Sequence, residues 1–350
     1  MSTPEQAYTP VRGDVAVHRN VLLSLWNGNL GDSGRMRAKF GWFYDACPNG
    51  APLVELLRHE PAGEWVGACS AGRRRMCFQG REIDTAILVD LVVTPAHRSL
   101  GPALMMQMAM VQHVRTELDL LLGFPNPRAA SLFKRIRYSN FKSISRHARV
   151  LRHGRYLESR MPRWAATPCG LLVDAAVRVR DRLRRGARSM PRTEWSDRVD
   201  PRMDELWQRS LPRSMLTAKR DGDFLRWRFD ESPLARSRHL LVLDPRGEGL
   251  IAWFTTVREG HMLHIRDFWS VNAETGTPAI CIDALLHAAR REGVAAVSVE
   301  MATSEGRLAS WASRGFVERN SRPVFGYWSA PPNAVDQHID VHLTPVDEDE

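Results

Sequence analysis

Arg98-Ser99-Leu100-Gly101-Pro102-Ala103 is the stretch on which the reading of this chain turns. An apolar run at residues 87–93 leads into it, and Leu104, Met108, Val111, Val114 or Arg115 and Leu118 follow at helical spacing. A strand that passes through a glycine loop into a helix aims unpaired backbone N–H groups, and the positive end of the helix, at one point in space. Such a point is suited to an anion. Gly101 lets the backbone approach closely, and Arg98 adds a charged donor, so the loop reads as a phosphate cradle.

Working outward, residues 120–124 read as a second buried strand. Pro125-Asn126-Pro127 reads as a turn, and a short helix carrying Ala130, Phe133 and Tyr138 follows. Strand, basic glycine loop, helix, strand, asparagine turn and aromatic-bearing helix, in that order, resembles the acyl-CoA core of the GNAT superfamily of N-acyltransferases. The family loop reads Arg or Gln, two residues, Gly, one residue, then Gly or Ala, and Arg98, Gly101 and Ala103 match it. The resemblance implies an α/β (α+β) fold with a mixed, central twisted sheet flanked by helices. It implies an acyl-CoA donor, acetyl-CoA first, whose pyrophosphate is held at Arg98, Ser99, Leu100, Gly101 and Ala103. The pantetheine arm would pair like an extra strand between Leu91, Val92 and Val93 on one side and residues 121–124 on the other. Two departures stand out: Pro102 brings no N–H, and Phe133 occupies the cofactor-side position where many members carry a tyrosine general acid.

The rest of the chain repeats this pattern at low similarity. Trp42-Phe43-Tyr44-Asp45-Ala46-Cys47-Pro48 and Trp227-Arg228-Phe229-Asp230-Glu231-Ser232-Pro233 share Trp, an aromatic, Asp and Pro at an offset of 185. Asp90 aligns with Asp267, at an offset of 177, if the basic hairpin at Arg73-Arg74-Arg75 is longer in the first copy. Phe133 and Tyr138 then fall on Trp311 and Phe316 at 178. Two tandem GNAT-like domains are expected rather than one large sheet, at 1–145 and 194–346, with an arginine-rich helical connector at 146–193 and an acidic tail at 347–350. In the second copy the loop becomes Val271-Asn272-Ala273-Glu274-Thr275-Gly276-Thr277-Pro278, and Glu274 would repel a pyrophosphate. Only the first domain is expected to carry CoA.

Bulk properties set the surroundings. At 43% hydrophobic and 25% charged, the 350 residues are those of a soluble globular protein large enough for two domains. No apolar run reaches membrane-spanning length, and the N-terminus lacks a secretory pattern. Five cysteines without a CxxC pair, and histidines without ligand spacing, point to a reducing cytoplasm and no metal. The net charge of +9 is concentrated in residues 146–192, where thirteen arginines face Glu158, Asp174 and Asp181. Leu172, Ala175 or Ala176, Val179 and Leu183 form an apolar stripe there, with Arg178, Arg182 and Arg185 on another face. Packing of the stripe on a neighbouring domain is the expectation, with contact to a membrane surface or RNA through the arginines as the alternative. The tail Asp347-Glu348-Asp349-Glu350 is expected to screen this helix or to remain a solubilising end.

Acyl transfer to an amine needs a base, a polarised thioester carbonyl and a proton for the departing thiolate. Asp90, on the strand approaching the cofactor, is the candidate base, with Asp84 and Glu82 as alternatives. A structural carboxylate, repeated as Asp267, is the competing reading of Asp90. Asn126 could bind cofactor or simply form a turn. Trp42 and Tyr44, with Trp227 and Phe229, are candidates for an acceptor cleft or for core. The acceptor itself is expected to be a small primary amine. Alternatives are an aminoacyl-tRNA-dependent transferase of related fold, or a non-catalytic scaffold.

Overall fold

The structure, a computed structural model, describes residues 7–126, 129–158, 161–186, 188–245, 247, 249–330 and 339–348. In the first repeat β1 (Tyr8–Gly13), α1 (Arg19–Trp26) and α2 (Ser33–Lys39) lead into a π-helical turn, Phe40–Asp45. There follow β2 (Leu53–His59), β3 (Glu64–Phe78), β4 (Arg81–Val93), α3 (Leu100–Glu117), β5 (Leu120–Gly123), α4 (Ala130–Arg135) and β6 (Ser139–Val150). A short α5 (Gly154–Leu157) and the long α6 (Arg163–Arg185) connect to the second repeat. That repeat begins with β7 (Thr193–Ser196), α7 (Pro201–Arg209), β8 (Thr217–Ala218) and α8 (Gly222–Leu225), and with a second π-helical turn, Arg226–Asp230. It continues as β9 (Arg238–Leu243), β10 (Leu250–Glu259), β11 (Met262–Ser270), α9 (Ala279–Arg291), β12 (Ala296–Met301), α10 (Glu305–Ser313) and β13 (Val317–Trp328).

These strands form one sheet in the order β1-β2-β3-β4-β5-β13-β6-β12-β11-β10-β9-β7. The order is a palindrome of the two repeats, so a pseudo-two-fold axis runs between β13 and β6. Each repeat gives its last strand to the other: β13 pairs with β5, and β6 with β12, both antiparallel. The expectation of two separate sheets is corrected here. A boundary at residue 145/146 falls inside β6, because the strand that ends the first repeat in sequence belongs to the second in space. The basic hairpin is longer in the first copy, β3 spanning 15 residues against 10 for β10. Its extension pairs with β8 of the second repeat through Met76↔Ala218 and Cys77↔Thr217.

Alternation along the strands sorts side chains to two faces. On one face, Leu56, Ala68, Ile87 and Val89 join α1, α2, α7, α8 and both π turns in a core common to the repeats. On the other face, Leu57, Cys69 and Ala86 pack with α3 and α4, while α9 and α10 cover the second half separately. The shared core is knotted at Trp42 and Trp227. Their rings stack at 5.0 Å, Trp42 Nε1 donates to the Trp227 carbonyl at 2.7 Å, and Trp227 Nε1 donates to that of Trp42 at 3.0 Å. Trp42, Trp227, Phe229 and Tyr44 are all buried in this core, and Tyr44 also borders a surface cavity shared with Arg12, Asp14 and Arg73. Local geometry is copied as well. The Tyr138 amide donates to the Phe133 carbonyl at 3.1 Å and the Phe316 amide to that of Trp311 at 3.2 Å, with ring pairs 5.0 and 4.9 Å apart.

Candidate functional site

β4 and β5 run parallel but pair at only three positions, Thr85↔Leu120, Ala86↔Leu121 and Ile87↔Leu122. Beyond Ile87 the two strands part, and among the described residues no strand fills the space between them. The cause lies in β4. Ala68 and Ser70 of β3 face Val92 and Val89, so Asp90 and Leu91 stand opposite the single residue Cys69 as a β-bulge. Asp90 takes φ +52°, a left-handed conformation costly for a non-glycine residue. Its carboxylate holds that geometry. Lys39 Nζ donates to Oδ1 at 2.7 Å and Tyr44 Oη to Oδ2 at 2.8 Å, with the Lys39 and Asp90 side chains only 2% and 5% exposed. A carboxylate buried against an ammonium and a phenol fits the structural reading of Asp90. The alternative bases are also engaged, Asp84 with Arg75 at 2.9 Å and Glu82 with Lys219 at 3.0 Å.

At the open end of the gap lies the N-terminus of α3. Ser99 caps it in extended conformation without a side-chain hydrogen bond, and no acidic residue stands in its first turn. Ser99, Leu100 and Gly101 are exposed, and a Cβ added at Gly101 would meet nothing within 4 Å. Pro102 is buried in that turn, where its absent N–H costs no intrahelical bond. Arg98 is placed differently from expectation. Its Nε donates to the Val93 carbonyl at 3.0 Å and Nη2 to Asn29 Oδ1 at 2.6 Å, so it ties the end of β4 to the α1–α2 turn. Nη1 alone is without a partner among the described residues. Ala103 is half-buried beneath this turn, and Leu91, Val92 and Val93 form the free stretch of β4 beside it.

Two other expected cofactor contacts are used elsewhere. Asn126 Oδ1 accepts from the Ala129 amide at 3.0 Å, the turn chemistry that starts α4. Phe133 is 5% exposed, packed between Tyr138 and Phe325 and pressed against Gly123, where any Cβ would clash with its ring. Phe133 is therefore core. Tyr138 is also buried, and burial pushes its ionisation far up.

In the second repeat β11 and β12 likewise pair over four residues, Met262–Ile265 against Ala296–Val299, and then part. That gap is filled by the chain itself. Leu343 exchanges two 2.9 Å backbone hydrogen bonds with Ala302, and the Leu216 amide donates to the Asp340 carbonyl at 2.8 Å. His342 lays its ring 5.1 Å from that of Phe268. Arg307 clasps the strap by an ion pair to Asp340 and a 3.0 Å bond to the Val341 carbonyl. Glu274 accepts from the Arg213 and Ser214 amides at 2.6 and 2.8 Å.

The strap ends in a buried charge cluster that the sequence reading missed. Arg220 Nε donates to Asp267 at 3.0 Å, and Arg220 Nη2 lies 3.4 Å from Asp347, all three side chains being 0–1% exposed. Glu348 pairs with Arg322. The acidic tail is corrected accordingly: Asp347 and Glu348 are built into the fold, whereas Asp349 and Glu350 lie outside the described residues. The earlier alignment of Asp90 with Asp267 was the signal available, since each is a carboxylate at or beside a β-bulge, buried against a cation.

No protein-family profile matches the chain, and no curated protein matches it in sequence. Solved structures do match in shape. A probable N-acyltransferase from Enterococcus faecalis V583 aligns over 92% of this chain and 72% of its own, at TM-score 0.64 and 7% identity. A GCN5-related N-acetyltransferase from Anabaena variabilis aligns over 92% and 73%, at 0.63 and 12%. A tandem GNAT protein from the clavulanic acid biosynthesis pathway aligns over 93% and 100%, at 0.52 and 12%. With the three-position β4–β5 pairing, the bulge and the palindromic sheet, this likeness shows that the chain has the GNAT superfamily fold in its tandem form.

Proposed function

We propose that the protein is an acyl-CoA-dependent N-acyltransferase whose first repeat holds the donor and whose acceptor is a primary amine of a small molecule. One observation carries the reading: β4 and β5 part directly beside an exposed helix N-terminus that is free of acid. The amides at Ser99, Leu100, Gly101 and Ala103, with Nη1 of Arg98, would hold the pyrophosphate, and the free edge at Leu91, Val92 and Val93 would hold the pantetheine arm. A bound acyl-CoA supplies the activated thioester carbonyl. The chain's own residues then position it: the Lys39–Asp90–Tyr44 cluster fixes the bulge, and a β4 backbone N–H there is the candidate donor to the carbonyl oxygen. Asp90 acts in this scheme as a positioning residue. With Phe133 and Tyr138 buried in the core, solvent would take the proton that the amine loses on forming the C–N bond and would give one to the thiolate released as the C–S bond breaks. The second repeat, its gap occupied by the strap, serves as support. The resemblance to transferases that use acetyl-CoA makes that thioester the first donor to try. The free cysteines, four of them buried, are in keeping with a reducing cytoplasm.

Thermal melting against rising CoA and acetyl-CoA tests the proposal. A saturable upward shift is expected, about 2.7 kcal/mol of stabilisation at a hundred times Kd. Gly101→Asp should remove it without lowering the melting temperature of the free protein, because the new side chain enters open space at a position where helices favour acid. No shift with either thioester or thiol would overturn the reading.

A further inference from the structure

The 23-residue helix α6 does not bury its apolar stripe. Trp164, Leu172, Val179 and Leu183 are 81, 72, 59 and 75% exposed, while Ala166, Gly170 and Asp174 form the face turned to the protein. The expected packing of this stripe on a neighbouring domain is thus corrected. Beside the stripe, α6 and α9 enclose a pocket of about 380 Å³ lined by Arg178, Arg182, Arg185, His287, Arg290 and Arg291. Its two acids are already paired, Asp181 with Arg149 and with Arg290 of the pocket itself, and Asp283 with Arg314 at 2.8 Å. Arg178, Arg182, Arg185 and Arg291 have no carboxylate partner among the described residues. The Nε atoms of Arg185 and Arg290 are buried there without any hydrogen-bond acceptor. An orphaned, buried guanidinium N–H is costly unless an anion completes it.

A stripe of large apolar side chains flanked by arginines on an exposed helix has one occupant that meets both demands. Nucleic acid would satisfy the arginines and leave the stripe in water. A second copy, meeting this face by two-fold symmetry, would set like charges against each other. We infer that α6 docks on an anionic bilayer surface, its apolar stripe entering the headgroup–acyl boundary and the arginine pocket receiving lipid phosphate. Trp164 stands where an interfacial aromatic is favoured, and at about 1.5 Å per residue the helix offers some 35 Å of contact. Among the described residues no helix is long and apolar enough to cross a membrane, so attachment is to the surface.

Flotation of the full-length protein with vesicles decides the matter. Binding is expected to phosphatidylcholine vesicles containing phosphatidylglycerol, weakened by salt, with little binding to phosphatidylcholine alone. The double variant Leu172→Gln, Leu183→Gln should lose at least about tenfold in partitioning, and Arg178→Glu, Arg182→Glu a similar factor, with melting temperatures unchanged because all four side chains are exposed. The inference is overturned by no flotation with the anionic vesicles, or by binding that the leucine variant leaves intact. It is equally overturned by RNA binding of the same salt sensitivity without vesicle binding, or by a wild-type dimer that the leucine variant makes monomeric.

Discussion

The two repeats build the same gap and treat it in opposite ways. Both part a pair of parallel strands near a bulge, with an aspartate in it or next to it buried against a cation, Asp90 with Lys39 and Asp267 with Arg220. The first leaves the gap beside an acid-free helix start. The second fills it with residues 340–343 and spends Glu274 on the amides of Arg213 and Ser214. The fold therefore needs the bulge and its carboxylate for architecture, while ligand binding depends on what the chain lays in the gap. An aspartate common to both copies is for that reason a poor candidate for chemistry proposed for the first copy alone.

The charge clusters offer the sharpest way to break this comparison. Arg220 serves two buried carboxylates and Lys39 one, so Arg220→Met should cost about 3–5 kcal/mol in urea unfolding and Lys39→Met distinctly less. Equal costs would mean that the strap contributes little to the second repeat. Next comes a pH effect. Burial, with Asp267 adding to it and Arg220 opposing, pushes Asp347 up to about 6 from its usual 3.8. Between these values the folded state keeps a proton that the unfolded state has released, so stability falls as pH rises through the window and stays lower above it. Asp347→Asn should match wild type near pH 4 and exceed it by about 1–3 kcal/mol near pH 8. A variant that is weaker at the higher pH would recast Asp347 as a net favourable partner of Arg220.

Calorimetry should find one CoA bound per chain, lost in Gly101→Asp by at least about tenfold from charge repulsion. Two equivalent sites would erase the distinction between the gaps. The smallest effect concerns Arg137 and Gly315, which occupy corresponding turns of the two repeats, after α4 and after α10, at φ +63° and +80°. Arg137→Gly should raise stability by about 0.5 kcal/mol, relief of left-handed strain exceeding the entropy that glycine adds to the unfolded chain. A loss would show that the Arg137 side chain matters more than its backbone.

What sequence reading could reach was whatever local spacing encodes. The loop at Arg98, the strand–helix order after it and the offsets linking Trp42 to Trp227 and Phe133 to Trp311 all survive in three dimensions. What it missed is non-local. Nothing near Ser139 says that β6 leaves its own repeat, because either partner strand suits its alternation. Asp347 reads as tail because its three acidic neighbours mask a residue whose counter-charge lies 127 positions away. The stripe on α6 was legible, but whether an amphipathic helix turns its apolar side inward depends on packing partners that periodicity does not name.

The exchange of β6 and β13 also bears on how such a chain could be divided. A fragment ending at Val150 would hold β5 and β6 with no strand to lie between them, two hungry edges in one molecule. A second copy of that fragment could fill both by symmetry, each lending its β6, and so rebuild the palindromic sheet as a swapped homodimer. In the intact chain α5 and α6 do the work of that second molecule's concentration. They make the pairing intramolecular, and the two halves are obliged to fold as one unit.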